Sequence, residues 1–202
     1  MKHIRRETPA FSVREEKIIT AAFDLFSTHG VESVSMDMIA GTAGVGKGTI
    51  YKHFKSKNEI FAILVICQME EVMERLRQVP RDAPVMIQLK RTMRTFWDYQ
   101  TENIERFGIY RKCEQLMQTM TLSPDILSRL VQQKTLRDEF IRSMIRKAVA
   151  EEIFADEAED NLTAVSVGLF RGVFDLISQG EVESCDDLYR LVEKVIFNGF
   201  MR

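Results

Sequence analysis

Gly41-Thr42-Ala43-Gly44-Val45-Gly46-Lys47-Gly48-Thr49 lies in the first quarter of a 202-residue chain, and two folds compete for it. Gly41, Gly46 and Lys47 fit the spacing G-x-x-x-x-G-K of a phosphate-binding loop, in which backbone N–H groups wrap phosphates and a lysine bridges them. Such a loop must follow a buried parallel strand. Here it follows Ser35-Met-Asp-Met-Ile-Ala40, where Asp37 would interrupt a strand and the apolar spacing suits a helical turn. Gly48 stands where that loop needs the hydroxyl that holds magnesium. The second reading is a helix-turn-helix: helix two over Met36–Ala43, a turn at Gly44-Val45-Gly46, and helix three over Lys47–Phe54. Gly44 can take the positive φ that a tight turn between crossed helices needs. Ala40 is small enough for a close crossing, and Val45 and Ile50 plug the angle. Helix three then turns Lys47, Thr49, Tyr51, Lys52 and His53 outward, a row of donors and cations of the kind that phosphates and base edges accept.

The flanks extend the helical reading. Ser12 with Glu15 reads as a capping box, and Ile18, Ile19, Ala22, Phe23 and Phe26 form the apolar face of a first helix ending near His29-Gly30. Ser56 with Glu59 reads as a second capping box, opening a long fourth helix to about Gln78. Taken together, Ile19-x-x-Ala22-Phe23-x-Leu25-Phe26-x-x-x-Gly30 and Ile39-Ala40-x-x-Ala43-Gly44-Val45-Gly46-Lys47-Gly48-Thr49-Ile50-Tyr51-x-His53-Phe54-x-x-Lys57 resemble the DNA-binding domain of TetR-family (tetracycline-repressor-like) transcriptional regulators over about residues 13–66. One departure is Gly46, where many members place Ser or Thr as the recognition helix's N-cap; Gly is the weaker cap by a few tenths of a kcal/mol.

The resemblance implies a DNA-contact set of Ser35, Lys47, Gly48, Thr49, Tyr51, Lys52, His53 and Lys57. Tyr51 matches the family's phosphate-contacting tyrosine, against the alternative of a core aromatic. Lys57 matches a backbone contact, aided by the positive N-terminus of helix four, against a solvated charge. Lys47 and Lys52 are the candidates for sequence-sensitive contacts, with a solvated face as the competing reading. His53 is either structural or a phosphate ligand. Lys2, His3, Arg5 and Arg6 form an arm that either reaches a minor groove or frays.

Beyond Pro84 the pattern stays helical. Val79 to Pro84 is the best hinge. Val85, Leu89, Met93, Phe96 and Trp97 mark helix five; Ile104, Phe107, Tyr110, Cys113, Met117 and Met120 mark one or two more. Ser123-Pro124-Asp125 starts a long helix with Leu127, Leu130, Val131, Phe140, Ile141, Met144, Ile145 and Ala148 on its buried side. Two further helices follow, the first ended by Gly180. The fold class is all-α with about nine helices and no alternating strands. The expected domains are 1–57, the helix-turn-helix, and 58–202, a helical ligand-binding and dimerisation domain as the resemblance implies.

Composition narrows the function. The chain is 45% apolar and 29% charged, and its 28 Lys/Arg against 30 Asp/Glu exclude a wholly basic nucleic-acid binder but not a basic patch. Residues 1–60 hold nine Lys/Arg and seven Asp/Glu, a small positive excess whose direction suits an N-terminal contact with a polyanion. Three dispersed cysteines, Cys67, Cys113 and Cys185, suit a reducing cytoplasm and neither a disulfide framework nor a zinc cluster. No apolar run approaches the ~20 residues of a membrane span. No metal-ligand spacing, cofactor motif or nucleophile–base pair is recognisable, so the expectation is a binding protein and not an enzyme.

Trp97, Tyr110, Cys113, Met117, Phe140, Met144 and Phe170, with Arg111 and Glu114 as polar anchors, are candidate walls of an effector cavity; ordinary core and ordinary ion pairs are the alternatives. Arg94 is a further polar candidate. Ala164, Gly168 and Gly172 form a small-residue stripe on helix eight. With Leu191 and Val195 of helix nine they mark a candidate homodimer interface, against a tight crossing within the chain. The partners expected are a double-stranded DNA operator, a small hydrophobic or amphipathic effector and a second copy of the chain, with no membrane. The competing functions are a nucleotide-phosphate kinase using Gly41–Lys47 and a helical protein-interaction adaptor.

Overall fold

Nine α-helices and one 3-10 turn make up the regular structure in a computed structural model, which describes residues 12–200. The arm at Lys2–Arg6 lies outside those residues. In chain order the elements are α1 (Val13–His29), α2 (Met36–Ala43), α3 (Lys47–His53), α4 (Lys57–Arg77), α5 (Val85–Thr101), α6 (Ile104–Leu116), the 3-10 turn Thr119–Thr121, α7 (Pro124–Ala150), α8 (Glu159–Ser178) and α9 (Asp186–Phe200). No strand occurs among the described residues. The stretch before Gly44 is helix α2, which contains Gly41, so the strand that a phosphate-binding loop requires is absent from this position.

Local chemistry explains the boundaries. Ser12 caps α1 by accepting the Glu15 N–H, while the Glu15 carboxylate takes the Ser12 N–H at 2.8 Å, completing the capping box. Gly30 ends the helix at φ +80°. Residues 78–84 separate α4 from α5, but the chain does not divide there as the hinge reading expects: the boundary between its compact units falls at Glu70/Glu71, inside α4. Met120 falls out of the helical register: it sits in the 3-10 turn and is 97% exposed.

The chain divides into two compact units, Met1–Glu70 with Glu105–Gln133 and Glu71–Ile104 with Lys134–Arg202. The unit around the helix-turn-helix is therefore larger than residues 1–57, because α6 and the start of α7 pack into the same core. That core joins Ile18, Ala22 and Phe26 of α1, Ile39 and Ala40 of α2, Ile50 of α3, Ile60–Ile66 of α4, Tyr110 and Cys113 of α6, and Leu130 of α7. Leu127 and Val131, expected inward on α7, are exposed; Leu130, with Ile126 partly buried, carries the inward face instead.

The second unit is built on aromatic side chains. Phe96 meets Phe170 and Phe174 edge-on at 5.4 and 5.6 Å, and Trp97 lies 5.2 Å from Phe174 and 5.5 Å from Tyr189. Such pairs add ~1 kcal/mol each beyond the area they bury. Val72, Met73, Leu76 and Tyr99 form a further cluster, with Phe140 packed against it.

Candidate nucleic-acid interface

The turn between α2 and α3 is fixed by backbone geometry. Gly44 adopts φ +66°, ψ 32°, its N–H bonds back to Ala40 and Gly41, and the Val45 N–H reaches the Ala40 carbonyl at 3.0 Å. This left-handed end turns the chain sharply out of α2. Ser35 caps α2: its hydroxyl accepts the Met38 N–H at 3.3 Å. Gly46 begins α3 with no side-chain cap, and its carbonyl takes the N–H of Thr49 and Ile50. Ile50 anchors the short helix in the core, beside Ile39, Ala40 and Phe54.

That anchoring decides which side of α3 faces water. Lys47, Gly48, Tyr51 and Lys52 are exposed, and Thr49 and His53 are partly so. Tyr51 is 44% exposed, which disposes of the core-aromatic alternative. The Lys47 ammonium bonds Asp37 of α2 at 2.8 Å, with both side chains open to solvent. That hydrogen bond, then the carboxylate's charge, raises the lysine above its ordinary range. His53 meets the Glu15 carboxylate through Nδ1 at 3.3 Å, joining the end of α3 to the start of α1. Partial burial pushes Glu15 up. The Ser12 N–H, His53 and the Ser12 hydroxyl outweigh it and hold the carboxyl below its ordinary range.

Lys57 differs from expectation. The outward cation read from the sequence is turned inward. Its Nζ donates to the carbonyls of Val31, Glu32 and Val34 at 3.1, 3.3 and 2.8 Å and lies 5.6 Å from the Phe61 ring centre. An ammonium has three protons, and three carbonyls of the α1–α2 loop take them. These carbonyls belong to the loop between α1 and α2, where no helix supplies them with backbone partners.

The capping box at Ser56 and Glu59 is also corrected. Ser56 Oγ has no hydrogen-bond partner. Glu59, 1% exposed, accepts the Lys55 N–H at 2.7 Å through Oε2 and the Ser123 N–H at 3.1 Å through Oε1. Its neighbour Asn58 donates to the Thr121 hydroxyl at 3.0 Å. Three consecutive residues at the head of α4 thus hold the α1–α2 loop, the 3-10 turn and the residue before α7.

The nine expected cavity residues are divided between the two units. Tyr110, Arg111, Cys113, Glu114 and Met117 belong to the first unit, and Trp97, Phe140, Met144 and Phe170 to the second. Tyr110 and Cys113 are core, and burial pushes the Cys113 thiol up to about 12. Arg111 and Glu114 pair with each other along α6. Arg94 is held by Asp98 and Asp186, both at 2.8 Å, over the Tyr189 ring. At the dimer candidates, Ala164, Gly168 and Gly172 are exposed, and a Cβ at either glycine would meet no atom within 4 Å. No intrachain crossing therefore explains the glycines. Leu191 and Val195 are 56% and 50% exposed, and Val165 is 55% exposed.

Residues 18–64 match the family described as bacterial regulatory proteins, tetR family. An HTH-type transcriptional regulator of Staphylococcus aureus is 33% identical over 67 residues, which is 33% of this chain and 36% of that protein. The match thus spans about a third of the length of the curated relative. Among solved structures, the fatty acid degradation regulator FadR of Bacillus halodurans superposes with a TM-score of 0.72 at 17% identity, covering 96% of this chain and 97% of its own. The TetR family transcriptional regulator PfmR of Thermus thermophilus gives 0.67 at 20% identity, covering 96% and 100%. At these identities the structures share the fold. No helix among the described residues is long and apolar enough to cross a membrane.

Proposed function

From the match of residues 18–64 to the tetR family of bacterial regulatory proteins, we propose that the chain is a DNA-binding transcriptional regulator whose α3 enters the major groove. The observation that carries this reading is the outward face of α3 behind a left-handed glycine turn: Lys47, Tyr51 and Lys52 exposed, Ile50 buried. A short helix anchored on one apolar side chain, with donors and cations on the other face, suits phosphate and base-edge contacts. Tyr51, Lys52 and Thr49 are the phosphate and groove contacts, Lys47 the base reader, and Ser35 and Gly48 the positions where backbone N–H groups approach the phosphates. Lys57 positions the α1–α2 loop.

Two copies would join through α8 and α9 and present their recognition helices to successive major grooves, roughly 34–36 Å apart on a pseudo-palindromic operator. The regulator acts in the cytoplasm as a repressor. A hydrophobic or amphipathic effector settling among the aromatic side chains of the second unit, with Trp97, Phe140, Met144 and Phe170 as walls, releases it. Displacement of α4 links the two events, a coupling of about 1–3 kcal/mol in such systems. Millimolar ATP or GTP is expected neither to bind nor to be hydrolysed.

Selection from a randomised duplex library, followed by anisotropy titration, tests the reading. Specific binding that weakens at least tenfold in Tyr51→Ala supports it; a wild type that enriches no sequence overturns it. Tryptophan fluorescence of Trp97 then screens effectors.

A further inference from the structure

The Asp37–Lys47 pair joins α2 to α3 at the surface of the turn. Both side chains are more than half exposed, at 59% and 68%, and an exposed pair of this kind adds little stability. Its location matters more. Lys47 is the first residue of α3, and in a helix-turn-helix the leading residues of the second helix meet base edges. Asp37 lies in the first turn of α2 and reaches the same point across the turn, its Oδ2 2.8 Å from Nζ. A free carboxylate there would be repelled by phosphates. A carboxylate locked to an ammonium instead offers a donor and an acceptor side by side.

In the major groove a G·C pair presents the complementary pattern: guanine O6 and N7 accept, and the cytosine amino group donates. A·T offers an amino donor and acceptors in a different order, together with a methyl group. Lysine pairs with guanine O6/N7, and aspartate accepts from cytosine N4. Resting on the DNA-binding reading above, we infer that Asp37 and Lys47 act as one unit that reads a G·C base pair at the leading end of the recognition helix. Lys47 donates to the guanine, and Asp37 orients the lysine and accepts a hydrogen bond from the cytosine amino group. Asp37 is thus a specificity-determining residue that also weakens binding to random sequence, because it carries negative charge onto the DNA-facing edge.

The test uses the full chain with Asp37→Ala, Asp37→Asn and Lys47→Ala, each checked for helix content by circular dichroism. Library selection with wild type should return a G·C pair at one position of the half-site, and exchanging it for A·T should cost about tenfold or more in affinity. Asp37→Ala and Asp37→Asn should lose that preference at this position alone, keep the others, and bind random duplex severalfold more tightly at low salt. Lys47→Ala should lose the same preference while weakening binding to random duplex. If both Asp37 variants select the same bases as wild type at every position, the pair does not read a base and the inference falls. A wild type that selects nothing would instead overturn the regulator reading beneath it, so the two failures are distinct.

Discussion

Lys57 shows how one side chain can match a motif and still do different work. Its place at the head of α4 was readable, but the direction of its ammonium was not, because the carbonyls of residues 31, 32 and 34 come from a loop more than twenty positions away. Those bonds give a definite expectation. Lys57→Met should lower unfolding free energy by about 2 kcal/mol, the scale of hydrogen bonds to a charged group. The slope of log K against log salt should stay unchanged. A slope reduced by about 2 per dimer with stability unaltered would return Lys57 to the phosphate. Gly44 was legible in both place and purpose. At φ +66° with open space around its α-carbon, Gly44→Ala suffers only from the backbone, about 1 kcal/mol. Gly44→Asn should cost less, since Asn visits that region more readily. Chemical denaturation of the two variants measures the difference.

At the scale of elements, the boundaries of α1, α2 and the turn follow from capping residues and apolar spacing, all of them local in sequence. What local pattern could not reveal was contact between elements. Glu59 and Ser56 spell a capping box, yet the glutamate is drawn to the N–H of Ser123, sixty-four residues on, and leaves the serine hydroxyl unpaired. Glu15 was visible as a cap, but not as the partner of His53. Both roles, the Ser12 N–H of the cap first and His53 after it, bear on acid stability. The folded-state carboxyl titrates lower than it does in the unfolded chain, where Glu titrates near 4.3. Its contribution is therefore full above that value and is lost as pH falls through the lower folded value. Glu15→Gln should reduce stability at pH 6–7 and narrow its gap to wild type on the acid side of about pH 4. Urea midpoints from pH 3 to 7 check this, and a constant gap would remove Glu15 from the acid response. Ile50 is the single apolar contact by which α3 enters the core, being its only buried residue, so Ile50→Ala should cost about 2–5 kcal/mol.

At the scale of the molecule, the open question is what covers the exposed apolar side of α8 and α9. The all-α class and the number of helices were legible because helical periodicity persists through a chain with few prolines. The proposed interface was legible only as an anomaly: Gly168 and Gly172 lie inside the continuous helix α8, and each costs ~1 kcal/mol relative to Ala. The structure sharpens that anomaly, since a Cβ on either would meet nothing within its own chain. A side chain added there is therefore harmless to a lone subunit but would stand in the way of a second one. Val165, Leu191 and Val195 lie exposed on the same two helices. Burying them against their symmetry copies gives a self-complementary four-helix contact, which must cover about 1,200–2,000 Å² in total to be stable. Gly172→Leu should then yield a folded monomer with wild-type helix content. Because one recognition helix holds half a palindrome, that monomer should bind operator at least a hundredfold more weakly, the scale on which joining two sites raises affinity. Sedimentation velocity at micromolar concentration, run alongside operator titration, separates the cases. A variant that still sediments as the dimer would place the interface elsewhere, and a wild type that sediments as a monomer would leave the glycines without their partner helix.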